Sequence, residues 1–165
     1  MKTRRCLGAG LMLAAVAFGL SGCDPDRTGL GDYFLRCRVG DRRVEVRGAE
    51  HVGANYTANT NVTTVQTGED GPYRFILVFP GQSAGTWTHT DRLVTLIVWD
   101  RSTSVMYVAS ADFARGGASL EMSVSSYGRV GSAVEGTFSG VVVAQDRSTL
   151  TIANGAFRAH RLQDW

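Results

Sequence analysis

From residue 32 onward, apolar and polar side chains alternate with a period of two, the spacing of a half-buried strand, and turn residues break the pattern at short intervals. Residues 33–39 put Tyr33, Leu35, Cys37 and Val39 on one face and Phe34, Arg36 and Arg38 on the other. A hairpin-like Gly40-Asp41-Arg42 turn leads into the alternating residues 43–47. Residues 61–67 are rich in Thr and Val, and 73–79 align Tyr73, Phe75, Leu77 and Phe79 before Pro80-Gly81. Residues 93–100 and 105–110 read as a further pair, and 119–127 alternate through Leu120, Met122 and Val124. Residues 134–144 and 150–153 form a third pair, Asn154-Gly155 supplies a turn, and 156–160 close the sheet. Ile76, Val78, Ile97 and Trp99 stand opposite an already apolar face, which predicts central strands covered on both sides. Residues 47–56 and 110–115 have room for a turn or two of helix, the second capped by Ser110. No window carries a long amphipathic helix, so the repeated crossovers of a parallel fold are not expected. The pattern predicts an all-β domain over 32–165, an antiparallel β-sandwich of about nine strands, with a closed barrel as the competing architecture.

The first residues obey a different pattern. Lys2, Arg4 and Arg5 precede an apolar run from Leu7 to Leu20, followed by Ser21-Gly22-Cys23. As a helix that run covers only about 21 Å, short of the ~30 Å hydrocarbon core, and it fits a signal-peptide helix better than a permanent span. Leu20-Ser21-Gly22-Cys23 resembles the lipobox of bacterial lipoprotein precursors. The resemblance implies cleavage between Gly22 and Cys23, a diacylglyceryl group on the Cys23 thiol, and an acyl chain such as palmitate on the new amino terminus. Residues 1–22 are then a signal peptide, and 23–31 hold the lipidated Cys and a short linker. Covalent lipid makes the membrane the expected partner, since two chains already anchor a protein stably. The expected location is the cell envelope, facing the periplasm. Asp24 resembles the inner-membrane retention signal of enteric bacteria, a rule that also depends on Pro25, so inner and outer membrane both stay open. The linker 24–31 reaches at most about 28 Å.

Charge changes meaning once residues 1–22 are removed. All of the acidic side chains and all basic ones except Lys2, Arg4 and Arg5 remain, which leaves the net charge near −1 instead of the +2 of the whole chain. The basic balance is therefore no argument for nucleic acid. Every remaining basic residue is Arg, which excludes lysine nucleophiles and Schiff bases. Of Cys6, Cys23 and Cys37 only the last stays a thiol, and its place on an apolar face predicts an inert core residue.

Chemistry-bearing motifs are sparse. His51, His89 and His160 form no ligand-spaced pair, and there is no HExxH, CxxC, nucleophile elbow, phosphate loop or dinucleotide fingerprint, so no metal or cofactor is expected. Thr88-His89-Thr90-Asp91, after Trp87 in a Gly-rich stretch, is the best local candidate for a polar site; the stretch Trp87–Asp91 reads either as a hydrogen-bonded connection or as the loop site of a periplasm-facing hydrolase. Asp100-Arg101-Ser102-Thr103 recurs as Asp146-Arg147-Ser148-Thr149, which two similar hairpin turns explain, with a paired binding site as the other reading. Residues 134–140 and 151–157 are similar to the ending of many bacterial lipoprotein β-domains, and in this stretch Phe138 is expected to lie over Gly136 and Gly140. The clearest constellation is basic: Arg36, Arg38, Arg43 and Arg47 project from one hairpin to one surface, where guanidinium forks suit an anionic envelope component. A solvated face balanced by Asp41, Glu45 and Glu50 is the plainer alternative. The chain reads as a non-catalytic binding or structural module on a lipid anchor.

Overall fold

The structure, a computed structural model, describes residues 32–165; the expected signal peptide over 1–22, with its expected cleavage between Gly22 and Cys23, and the expected lipidated Cys and linker over 23–31 lie outside the described residues. Eleven strands follow in chain order: β1 Phe34–Val39, β2 Arg42–Arg47, β3 Val52–Thr57, β4 Val62–Thr67, β5 Tyr73–Pro80, β6 Gly85–Thr88, β7 Thr95–Asp100, β8 Val105–Ala109, β9 Ser119–Tyr127, β10 Ala133–Ala144 and β11 Thr149–Asp164. They join in one mixed sheet ordered β2-β1-β11-β3-β4-β5-β7-β8-β10-β9-β6, with β10 also bonded to β11. That last pairing brings the two arms of the sheet together, so the fold is all-β and sandwich-like. The pairings close a circuit β11-β3-β4-β5-β7-β8-β10-β11, from which β1-β2 and β9-β6 branch; β2-β1-β11-β10-β9-β6 are here called the first layer and β3-β4-β5-β7-β8 the second. No helix among the described residues is long and apolar enough to cross a membrane.

β11 is the seam. One of its edges carries β1 antiparallel between Ile152 and Arg158, then β3 in parallel from His160; the opposite edge carries β10. Between the layers lie Leu35, Phe75, Leu77, Phe79, Leu96, Met122, Ile152 and Phe157, all essentially without solvent contact. Each contributes on the order of 1.5–3 kcal/mol by burial. Cys37 is among the buried core residues, and burial pushes its thiol up to about 12, as expected of an inert sulfur. At the seam Arg161 is buried over the Tyr127 ring at 4.8 Å, donating to Gly128 O at 2.7 Å and to the Asp164 carboxylate at 2.8 Å.

The structure corrects the sequence reading in several places. Residues 52–57 are strand, because Val52 and Ala54 are needed in the core and Gly53 is covered by Leu162. Residues 85–88 are a short edge strand that turns Trp87 inward onto Phe79, with ring centroids 5.4 Å apart. Asn154-Gly155 is not a turn. β11 runs straight through it as a bulge, with Asn154 at φ 52°, and both neighbours shift register there, β1 between Arg36 and Arg38 and β10 between Phe138 and Gly140. Phe138 covers Gly155 across the strand pair, and Phe157 covers Gly136 in return, because those residues are register partners. A Cβ on Gly155 would sit 2.8 Å from the Phe138 ring. Residues 111–116 form the expected short helical segment, a 3-10 helix entered by a bond from Phe113 N–H to Ser110 O. Finally, Ile76, Val78 and Ile97 are only half-buried and Trp99 is 41% exposed, so the outer side of β5 and β7 is not covered.

Candidate functional site

Alternation on the first layer sends Arg36 and Arg38 of β1 and Arg43, Glu45 and Arg47 of β2 to the same outer surface. The register sets Arg47 opposite Phe34, Glu45 opposite Arg36, and Arg43 directly opposite Arg38. Like charges facing each other across a strand pair are unfavourable on their own, which leaves this corner attractive to an anion. Glu45 is the only carboxylate in the hairpin's outer row, with Arg47 Nη2 at 2.6 Å and Arg43 Nη2 at 3.5 Å. Arg36 lies over the Phe34 ring, 5.1 Å from its centroid. Neither Arg36 nor Arg38 has an ion pair among the described residues, and both are exposed. Exposed ion pairs are worth roughly 0–1 kcal/mol, so even the two arginines on Glu45 can be drawn to a stronger anion. Asp41 and Glu50, the other candidates for balance, lie outside the outer rows of β1 and β2.

The surface continues past the hairpin as a shallow groove made of three adjoining hollows that share lining residues. A hollow of about 320 Å³ is lined by Arg36, Arg38, Arg43 and Asn154. The next, about 430 Å³, shares Arg36 and Asn154 and adds Thr137, Ser139, Ser123 and Glu121. A third, about 370 Å³, shares Ser139 and Glu121 and reaches Ser119, Thr88 and His89. The groove thus crosses the strands from an arginine end to a hydroxyl, carboxylate and imidazole end. Asn154 stands at the junction of the first two hollows because the bulge turns it outward. An αL conformation is tolerated by Asn better than by most residues other than Gly. Further along the same face Arg158 pairs with Glu135 at 3.5 Å, and Thr86 Oγ1 donates to Ser123 Oγ at 3.2 Å.

Trp87–Asp91 meets this groove at one end. The Asp91 carboxylate closes its own turn by accepting from Thr88 N–H at 2.7 Å, and Thr88 and Thr90 hydroxyls bond each other at 2.7 Å. His89 Nδ1 accepts from Leu120 N–H at 3.4 Å, which puts the proton of the neutral ring on Nε2. Ser119 Oγ accepts from Val141 N–H at 3.1 Å. Among the described residues no hydroxyl or carboxylate is hydrogen-bonded to His89. What the groove offers is donors and acceptors for a ligand. His51 lies between Glu50 at 3.3 Å and Asp70 at 3.0 Å, and His160 packs on Tyr33 with centroids 4.9 Å apart. No group of three metal-ligating side chains occurs among the described residues.

The four arginines were legible from alternation within one hairpin. The rest of the groove was not, because Asn154, Thr137 and Ser123 become neighbours only through pairing between distant strands. The one local signal was the Thr137 and Ser139 pair flanking Phe138, which marks a polar outer row. No family model, no curated protein and no solved structure matches this chain.

Proposed function

We propose that this chain is a lipid-anchored lipoprotein of the bacterial cell envelope, tethered through Cys23, whose β-domain is a non-catalytic module binding an anionic envelope component on its polar outer face. The observation that supports the binding half is the row of three adjoining hollows with Arg36 and Arg38, which have no ion pair among the described residues, at one end and hydroxyl, amide and carboxylate groups along the rest. Guanidinium forks recognise carboxylate or phosphate, and the hydroxyl and amide row suits the sugar hydroxyls of a charged polymer. The anchoring half rests on Leu20-Ser21-Gly22-Cys23 behind a basic and apolar leader.

Two measurements test the two halves separately. Mass spectrometry of the purified full-length protein should find residue 23 as the amino terminus carrying diacylglyceryl and acyl mass, and Cys23→Ser should abolish it. A free thiol at position 23 in a processed or intact chain rejects the anchor. For the face, Arg36, Arg38, Arg43 and Arg47 are replaced together by Gln, and retention on immobilised polygalacturonate and on isolated envelope polymer is compared with neutral dextran. Binding should fall by on the order of tenfold or more and lose its salt dependence. Unchanged retention with an unchanged circular dichroism spectrum removes the binding proposal.

A further inference from the structure

The outer face of the second layer carries an apolar strip. Alternation along β5 and β7 points Ile76, Val78, Ile97 and Trp99 away from the core; the register sets Ile76 opposite Ile97 and places Trp99 between Met106 of β8 and Arg74 of β5, which pairs with Glu69, while Gln66, Thr64 and Thr95 border the strip. Trp99 is 41% and Met106 57% exposed. Farther along the same face Val108 and Val143 are buried, the Cβ position of Gly116 in the 3-10 helix lying 3.4 Å from Val143, so the cover stops short of Met106 and Trp99.

Beside this apolar strip stand the two Asp-Arg-Ser-Thr turns. Pairing of β8 with β10 brings them to the same end of the sheet, and a hollow of about 530 Å³ beside the second turn is lined by Ser104, Val105, Met106, Ala144, Gln145 and Asp146. The Asp–Ser contacts are the same in both, Asp100 Oδ1 accepting from Ser102 N–H at 2.9 Å and Ser102 Oγ at 2.6 Å, and Asp146 Oδ1 from Ser148 N–H and Oγ at the same distances, but the backbones differ: Asp100 ends β7 and Ser104 takes φ 56°, whereas Asp146 lies in the loop and Arg147 takes φ 69°. For Asp100, burial pulls the carboxyl upward but the bonds from Ser102 and Thr103 outweigh it; for Asp146, the bonds from Ser148 alone lead. Both acids therefore stay charged and tied to their own turns. Arg101 and Arg147 are left exposed at the tips, with no ion pair among the described residues.

We propose that this face docks on the surface of the bilayer that holds the anchor, with Trp99 and Met106 set among the lipid headgroups and Arg101 and Arg147 on lipid phosphates. The inference rests on the lipid-anchor reading above. A Trp at the rim of an apolar strip and guanidinium groups beside it match the interfacial region, apolar on one side and anionic on the other. A linker of at most about 28 Å confines the body near the bilayer, so a weak contact is enough to orient it. Docking by the second layer turns the groove of the first layer away from the membrane, toward the polymer it is proposed to bind.

The test uses the full-length protein reconstituted in vesicles of phosphatidylcholine with phosphatidylglycerol, and carries an environment-sensitive fluorophore on Met106→Cys or, as control, on Thr137→Cys. Cys37 is buried and does not compete for the label. The fluorophore at 106 should shift its emission to the blue and be quenched by nitroxide lipids at least about twofold more than the one at 137. Replacing Arg101 and Arg147 by Gln should reverse much of the shift. Vesicles that carry the protein by flotation while the 106 probe stays in water overturn the docking and leave the anchor intact. Protein that fails to float, with a free thiol at residue 23, overturns the anchor and the docking with it. Probe burial that instead depends on protein density in the vesicle assigns the face to a second copy and overturns the lipid contact.

Discussion

On the first layer, the positions next to buried Leu35, Cys37, Phe138 and Met122 are Arg36, Arg38, Thr137 and Ser123; on the second, those next to buried Phe75, Leu77, Leu96 and Val98 are Ile76, Val78, Ile97 and Trp99. The inward residues of the two layers are interchangeable in kind, since both meet across the same core. The outward ones are not. Scattered exposed apolar residues are ordinary on a protein surface, but here the register sets Ile76 beside Ile97 and Trp99 beside Met106, making a strip. The outer surfaces are where the two layers differ, whereas the core reports only that the layers must close on each other. One face presents charged and hydrogen-bonding groups, the other an apolar strip bordered by Arg74, Gln66 and Thr95.

The sharpest way to break the contrast between inside and outside is to truncate one aromatic from each. Phe157→Ala removes a fully buried ring and uncovers Gly136, and should cost about 3–5 kcal/mol in denaturant unfolding. Trp99→Ala removes a larger ring from the surface of the second layer and should cost less than about 1 kcal/mol. Comparable losses would mean that the outer strip is part of the core. Asn154 separates folding from binding on the polar face. Gly accepts φ 52° freely, so Asn154→Gly should change stability by under about 1 kcal/mol while weakening polyanion retention several-fold; Asn154→Val, which resists that backbone, should cost about 1–2 kcal/mol. A Gly variant that binds as well as the parent takes the amide out of the groove.

The smallest effect at neutral pH belongs to Cys37. Its folded value is raised from 9.0 to about 12 by burial, so the folded state favours the neutral thiol more than the unfolded chain does. The stability this group contributes is complete below pH 9.0 and is lost as pH rises toward about 12. Unfolding midpoints measured across that range should fall for the parent and lose this component of the slope in Cys37→Ala. Thiol reagents at pH 8 should leave the native sulfur unmodified and react once denaturant is added.

Alternation alone carried the strand reading of residues 33–39, 73–79 and 119–127, because one face of each had to be apolar to close the core. It missed residues 52–57 and 85–88, where Gly, Ala and Thr leave a weak two-residue signal and the strand exists because a neighbour is there to bond it. Asn154-Gly155 looked like a turn since that dipeptide reverses chains in hairpins, yet here bonded neighbours on both edges of β11 keep the chain extended and convert the same backbone preference into a bulge. The repeated Asp-Arg-Ser-Thr turns were visible as a repeat, but their place at the same end of the sheet came from β8 pairing with β10.

By itself the sequence determined the all-β class, the inward faces of the strands, the burial of Cys37 and the shared surface of the four arginines, because each depends on spacing within a few residues. Only the tertiary structure decided the closing of the sheet through β10 and β11, the groove that runs from Arg38 to His89, and the uncovered strip around Trp99. Those arise where strands distant in the chain are brought side by side, and a local pattern carries no information about which distant strand will lie at its edge.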